Sequence, residues 1–399
     1  MNADFVIIGG GVIGVNIARE LKRRHSDCSV LMLEKEPELG QHASGRNSGV
    51  LHAGFYYTAD SLKARFCRDG NRAMRDFCSE HGLKINACGK LVVARNDAEL
   101  AQLDELKRRG DVNGVPLESI SATEARSIEP RVKTHERALF SPTTATIDPA
   151  EVMRTLRSEA EHAGVQICTG TPYRGRNGNA ILTDQCDIGF GTLINAAGLY
   201  ADRIARDFGF SQDYRILPFK GLYLYASENS QPFRTNIYPV PDLRNPFLGV
   251  HVTVTVDGKS KLGPTAIPCF WREHYAGLEN FHADEFAEIV GMEASLFLNA
   301  GFDFRGLAAR ELRKYSRTTL ATQASELAEG ISPSGYRHWG KPGIRAQLLN
   351  VKSRTLVMDF LIEKDDRSLH VLNAVSPAFT CSIPFAAYVC DQLANGRDQ

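Results

Sequence analysis

The chain has 399 residues, enough for two domains of ordinary size, each with its own core. Lysine plus arginine equal aspartate plus glutamate at 47 each, which gives no bulk reason to expect nucleic acid, and 43% hydrophobic with 24% charged residues excludes a disordered chain. The nine cysteines include no CxxC pair, so neither a structural metal nor a disulfide framework is expected, and no apolar run reaches the roughly 18 residues of a spanning helix.

The N-terminus carries Asp4 and no basic segment before its first motif, so the reading is a cytoplasmic chain without a cleaved signal. Asp4 to Ile8 is a β-branched run, GGGVIG follows, Val15 to Arg24 is amphipathic, and CSVLML ends at Glu34. Strand, glycine turn, helix, strand and acid within some 30 residues make a βαβ unit. KLVVARN then reads as a strand, AELAQLDELKRRG and PAEVMRTLRSEAEHAG as helices, and VQICTG as a strand. GTLINAAGLYADRIARDFG repeats the corner of strand, small-residue turn and helix. Strand-rich sequence follows (FKGLYLYAS, RTNIYPVP, FLGVHVTVTVDGK), then helices at DEFAEIVGMEASLFLNAGF and RELRKYSRTTLATQASELAE. The tail gives strands at TLVMDFLIE and LHVLNAV and a last helix at FAAYVCDQLANG. The pattern predicts a discontinuous nucleotide domain (1–85, 145–212 and 340–399) with a second domain (86–144 and 213–339) inserted twice.

Gly9-x-Gly11-x-x-Gly14 follows an apolar strand, opens a helix and has an acid 20 residues after Gly14. In such a motif the first glycine permits the tight turn, the second lets a pyrophosphate approach the backbone, and the third lets helix and strand pack closely. Val12 and Ile13 offer free N–H groups at the helix start, and Glu34, with Lys35 beside it, faces the adenosine ribose. The position of the motif at the start of the chain, the split domain and a late INAAG favour FAD over NAD. Ser44, Asn47 and Ser48 are candidates for cofactor contact, or else polar turn residues. Ala197 and Gly198 let the backbone pass close to the cofactor. Pro377, Ala378, Phe379 and Thr380 precede the last helix, whose N–H groups suit negative charge on a reduced flavin.

The stretch SGRNSGVLHAGFYYTADSLKARFCR (44–68) is similar to the signature of L-2-hydroxyglutarate oxidases and dehydrogenases, a branch of the D-amino-acid-oxidase-like (DAO) flavoproteins. YPVPDLRNPFLGVHVT, DGKSKLGPTA, GIRAQLL and HVLNAVSPAFTCSI repeat the resemblance in order along the chain, with SPAFT where the family pattern has SPAAT. The resemblance implies an α/β fold, α+β overall, of the glutathione-reductase-2 type: a Rossmann-like FAD domain and a substrate domain whose mixed or antiparallel sheet roofs the flavin. It implies oxidation of (S)-2-hydroxyglutarate to 2-oxoglutarate, with electrons passed to O2 or a membrane quinone. FAD is expected to be held non-covalently.

That chemistry needs a carboxylate anchor, a base and an aligned hydride. Arg345, in GIRAQLL, is the anchor, since a guanidinium grips a carboxylate with two parallel hydrogen bonds. His251 is preferred slightly as base, with His52 as flavin or substrate contact. Tyr56, Tyr57, Thr253 and Lys220 are further candidates, Lys220 for a second carboxylate. The rival within the superfamily is an amine or amino-acid oxidase. A flavin-binding sensor would have lost the histidines and Arg345, which are present. Apolar residues Phe286, Ile289, Val290, Phe297 and Leu298 read as helix core or as a peripheral patch on the inner face of the cytoplasmic membrane.

Overall fold

A computed structural model describes residues 1–228, 230–241 and 247–394, so residues 242–246 of the YPVPDLRNPFLGVHVT block lie outside the described residues. Among those described, one sheet places Asn2–Ile8 between Ile188–Asn195 and Val30–Leu33, all parallel, with Val165–Cys168 continuing one edge. Ser368–Asn373 runs parallel to Ile188–Asn195, so strands far apart in sequence share this sheet. Its alternate residues serve two cores, as the two-residue repeat of a strand requires. Phe5 and Ile7 pack under the helices Val12–Arg24, Pro149–His162 and Ala378–Ala394, whereas Val6 and Ile8 face the opposite cluster with Leu31, Leu33 and Ile204.

A second, mixed sheet runs Tyr336–Trp339, Leu224–Ala226, Ser260–Gly263, His251–Val254, Asn236–Pro239, Lys90–Val93, Arg137–Ser141 and Glu118–Ser121. Leu91, Val93, Ile237 and Val252 turn one face toward the helix Arg317–Ser325, and Val92 turns the other toward Phe55 and Tyr56. A smaller antiparallel sheet pairs Tyr214–Gly221 with Gly343–Asn350 along their whole length. The strand 343–350, grouped from sequence with the nucleotide segments, therefore shares a sheet with part of the inserted segment.

Three local expectations change. TLVMDFLIE is two strands, Thr355–Leu356 and Leu361–Lys364, which belong to different sheets. Between them Asp359 accepts hydrogen bonds from the N–H groups of Leu62 and Lys63 at 2.8 and 3.0 Å, capping a helix, Leu62–Glu80, that the sequence reading did not anticipate. The helix expected across 310–329 breaks after Leu312 and restarts at Arg317, where Ser316 Oγ accepts from the Thr319 N–H at 3.4 Å. The first helix begins at Val12, where the glycine motif placed its start, with Gly11 as its N-cap.

Candidate active site

The glycine turn is built by contact rather than by propensity alone. A Cβ at Gly14 would lie 2.0 Å from the Gly9 carbonyl oxygen, and one at Gly9, where φ is 109°, would lie 2.5 Å from the Ala196 oxygen. A Cβ at Gly11 would meet only Ser44 Oγ, at 3.2 Å, so that glycine fronts open space. Gly14→Ala is therefore expected to destabilise the fold by roughly 2 kcal/mol or more, since the new Cβ meets backbone that cannot swing aside. Gly11→Ala keeps the fold but loses cofactor. Melting temperature and the ratio of flavin to protein absorbance on each purified variant separate the two effects.

A cavity of about 900 Å3 opens at this turn and runs along the carboxyl ends of the parallel strands. Large enough for a dinucleotide-sized ligand, it is lined by Gly9, Gly11, Val12, Ile13, Glu34 and Lys35 at one end. Gly14 lies under the turn. Glu34 accepts from the N–H groups of Gly10 at 2.8 Å and Glu36 at 2.9 Å, so its carboxylate is oriented before any ligand arrives. Lys35 pairs with Glu36 and Glu273, which fixes it at the cavity rim. Ser44 Oγ accepts from the Val12 N–H at 2.9 Å, at the helix start where a phosphate would be received.

Ser48, Ala197, Gly198 and the run Pro377, Ala378, Phe379, Thr380 also line the cavity. Asn47 lines it too, but spends its amide on the Ser44 carbonyl (2.7 Å) and its oxygen on the Gly49 N–H (2.8 Å), which is the turn-forming role. Thr380 Oγ1 accepts from the backbone N–H of His52 at 3.2 Å and so ties the last helix to the loop carrying the histidine. Together, a phosphate-sized opening at Gly11, a preset ribose acceptor and a second helix start fit FAD.

Arg345 and His52 both line the cavity. Arg345 stands directly opposite Phe219 on the neighbouring strand, and its guanidinium lies over the Phe247 ring, 4.8 Å from its centroid. The carboxylate within its electrostatic range, Glu311, is already paired with Lys314. Burial holds the His52 imidazole well below its ordinary value, helped by Lys90, His251 and Arg345. It is therefore neutral at pH 7 and able to accept a proton.

His251 lies outside the lining of this cavity. It stacks on Tyr238 at 3.6 Å, and its Nδ1 is 2.9 Å from the Gly249 carbonyl, which makes Nδ1 the donor and leaves Nε2 the lone pair. Burial drives its pKa down to about 3. Thr253 is two residues along the same strand face and fully buried. Tyr57 lies within electrostatic range of Arg345 without lining the cavity. Lys220 is not brought to the site: it opposes Ile344, on the strand face away from Phe219 and Arg345, and lies within electrostatic range of Cys269. A charged residue in a strand gives no signal of which face it occupies until the register is known.

Sequence reasoning missed Phe219 and Tyr223, which line the cavity beside Arg345. It also missed Gly70, whose Cβ would fall 2.1 Å from the Thr380 oxygen, so that helix Leu62–Glu80 can cross the start of the last helix.

Residues 4–392 match the family described as FAD dependent oxidoreductase (DAO). The chain is 34% identical over 408 residues to the L-2-hydroxyglutarate dehydrogenase of Escherichia coli K12, covering 98% of this chain and 93% of that one. It is also 34% identical to the human mitochondrial L-2-hydroxyglutarate dehydrogenase, covering 98% and 88% of the two chains. Among solved structures, the FAD-bound L-alpha-glycerophosphate oxidase of Mycoplasma pneumoniae superposes with a TM-score of 0.78 at 22% identity, covering 99% of this chain and 95% of that one. Glycine oxidase from Geobacillus kaustophilus gives 0.71 at 18% identity, covering 99% and 95%, so the fold is shared well beyond one substrate class.

Proposed function

Because the chain belongs to the FAD dependent oxidoreductase family, on the branch of the L-2-hydroxyglutarate dehydrogenases, we propose that it oxidises (S)-2-hydroxyglutarate to 2-oxoglutarate. The observation that carries this reading is the pairing of Arg345 with a neutral His52 on the wall of one cavity. Oxidation of a CH–OH carbon removes a proton from oxygen and a hydride from carbon. Bound FAD supplies the two-electron acceptor.

The remaining work falls to the chain's own side chains. Arg345 holds the carboxylate next to the reacting carbon with two parallel hydrogen bonds and so fixes which hydrogen is presented. His52 takes the hydroxyl proton, since it alone of the two candidate histidines is on the cavity wall. His251, its Nδ1 committed to Gly249, backs this wall as a fixed neutral ring. Phe219 and Tyr223 keep the reacting end apolar and exclude water.

FAD is read as non-covalently held, since the buried cysteines of the adjoining core, Cys67, Cys78, Cys381 and Cys390, do not line the cavity. The electron acceptor is read as O2 or a quinone. No described helix is long and apolar enough to cross a membrane. Phe286, Phe297 and Leu298 are exposed, whereas Ile289 is fully buried, so part of the apolar helix face is available for a peripheral membrane contact and part is core. The division into a discontinuous FAD domain and an inserted substrate domain is retained, with strand Gly343–Asn350 counted with the latter.

Anaerobic addition of L-2-hydroxyglutarate is expected to bleach the flavin absorbance of the purified protein, and the D-enantiomer to leave it unchanged. A protein that stays oxidised with both but bleaches with glycine or proline is an amino-acid oxidase, and the hydroxy-acid reading is then wrong.

A further inference from the structure

Between the strand Ile267–Pro268 and the helix Ala283–Leu298 the chain runs along the cavity without helix or strand. Residues 269–282 are nevertheless well held. The Cys269 N–H donates to the Pro218 carbonyl at 3.0 Å, and Trp271 Nε1 closes the segment on itself by donating to the Glu279 carbonyl at 3.0 Å. Arg272 is wholly buried on Asp202. From this base Glu273 and Tyr275 reach the opposite lip of the cavity, the loop that follows the strand Val30–Leu33.

The contact between the two lips is polar. Lys35 Nζ lies 2.6 Å from Glu273 Oε1, and the other Glu273 oxygen accepts from Asn280 Nδ2 at 3.1 Å. Glu36 accepts from His42 Nε2 at 2.9 Å, which leaves Nδ1 to accept from the Tyr275 hydroxyl at 2.7 Å. The Arg46 guanidinium lies over the Tyr275 ring, 4.2 Å from its centroid. Ligand atoms of Glu36, His42 and Glu273 fall within 4.8 Å of one another, the spacing of a cation site. The Lys35 ammonium is already paired with both carboxylates, so the cluster is an ion-pair latch.

Glu273 has 4% of its surface exposed, and a carboxylate taken that far from water is stable only while its partner is in place. That partner, Lys35, directly follows Glu34, the acceptor preset for the adenosine ribose. The segment is thus fastened to the stretch of chain that receives the adenosine end of the cofactor. Glu273 and Asn280 line the cavity, whereas Tyr275 does not and acts only through His42. We propose that residues 269–282 form a strap closed over the adenosine half of bound FAD. The Lys35–Glu273 ion pair and the Tyr275–His42 hydrogen bond are its latch, and the cofactor leaves only when the strap lifts. This rests on FAD as the cofactor and is independent of which substrate is oxidised.

The test compares wild-type holoenzyme with Glu273→Gln and Tyr275→Phe. The first removes the charge and keeps the shape; the second keeps the ring, which packs in the cluster of Ile344 and Leu372, and deletes the hydroxyl alone. Each protein is loaded with FAD and diluted, flavin release is followed by fluorescence, and amide hydrogen exchange is measured on the same holoenzymes. Glu273→Gln should release FAD at least about tenfold faster than wild type and Tyr275→Phe at least about threefold faster, as expected for losing a charged and a weaker hydrogen bond. Exchange should rise at 269–282 and stay unchanged in the strand Asn2–Ile8. A smaller increase in either variant overturns the strap: if only Glu273→Gln responds, Glu273 is a direct cofactor contact and not part of a latch. Faster exchange that extends to Asn2–Ile8 is a general loss of stability and overturns it as well. A wild type that binds no FAD is a different result: it removes the cofactor reading, and the strap with it.

Discussion

Arg345→Ala is expected to lower kcat/KM for L-2-hydroxyglutarate by about 10³-fold, about 4 kcal/mol, while the protein stays yellow. The guanidinium lies over the Phe247 ring, and the carboxylate in its range is held by Lys314, so among the described residues no carboxylate competes with the ligand for it. A buried charge pair truncated on one side leaves the other charge unsatisfied, here the substrate carboxylate, and that is why the effect is large. Stability moves the other way or not at all, since the substitution removes a desolvated cation from a region rich in basic groups. Arg345→Lys restores charge but not the two parallel bonds, and recovers only part of the loss. Steady-state kinetics with a melting curve on both variants reads the two effects separately. A loss of activity that merely tracks a loss of flavin sinks the anchor role.

The second large effect lies outside the cavity. Arg272 is wholly buried and donates to Asp202 at 2.7 and 3.0 Å, to Glu288 at 3.3 Å and to the Leu199 carbonyl. Asp202 is wholly buried too and also accepts from the Ile216 N–H at 3.1 Å. This network pins the turn Gly198–Tyr200, which lines the cavity, to the strand Tyr214–Gly221. Arg272→Met leaves Asp202 buried with only Arg206, at 3.3 Å, as a charged partner, and is expected to cost about 3 kcal/mol in urea unfolding. The double variant Arg272→Met, Asp202→Leu should recover most of that loss, because an apolar pair can replace a buried ion pair at little cost.

The pH dependence follows from the same pair. Burial raises the Asp202 pKa, but Arg272 pulls it down further, and the net value is below the ordinary 3.8. The pair's contribution is therefore complete above about pH 4 and is lost as pH falls through the lowered value. The gap in stability between wild type and Arg272→Met should narrow in that acid range. A gap constant from pH 7 down to pH 2 contradicts the assignment.

Much of the cofactor end was legible because its residues act through local backbone geometry. Gly9, Gly11 and Gly14 with Glu34 lie in one contiguous βαβ unit, so their spacing already states the turn, the helix start and the acceptor. Arg345 and His52 were legible by resemblance to family blocks, and the structure puts both on one wall. Helix Leu62–Glu80 was not read, although Ser61 caps it locally by accepting from the Ala64 N–H at 3.1 Å; only its second cap, Asp359, and its passage past the last helix at Gly70 are tertiary.

What the sequence by itself determined is the fold class, the nucleotide-binding turn and a list of candidate side chains for the reaction site. All three rest on short-range spacing or on blocks read whole. What only the tertiary structure decided is which of those side chains meet. Lys220 and Phe219 are neighbours in the chain, yet a strand's two-residue repeat sends them to opposite faces, and register alone selects Phe219 for the cavity. Lys90 opens the expected strand KLVVARN, and nothing local marks it as buried. Its burial among three aromatic rings arises because Phe55, Tyr56 and Tyr238 are brought over it by distant segments, a long-range contact that no local pattern encodes.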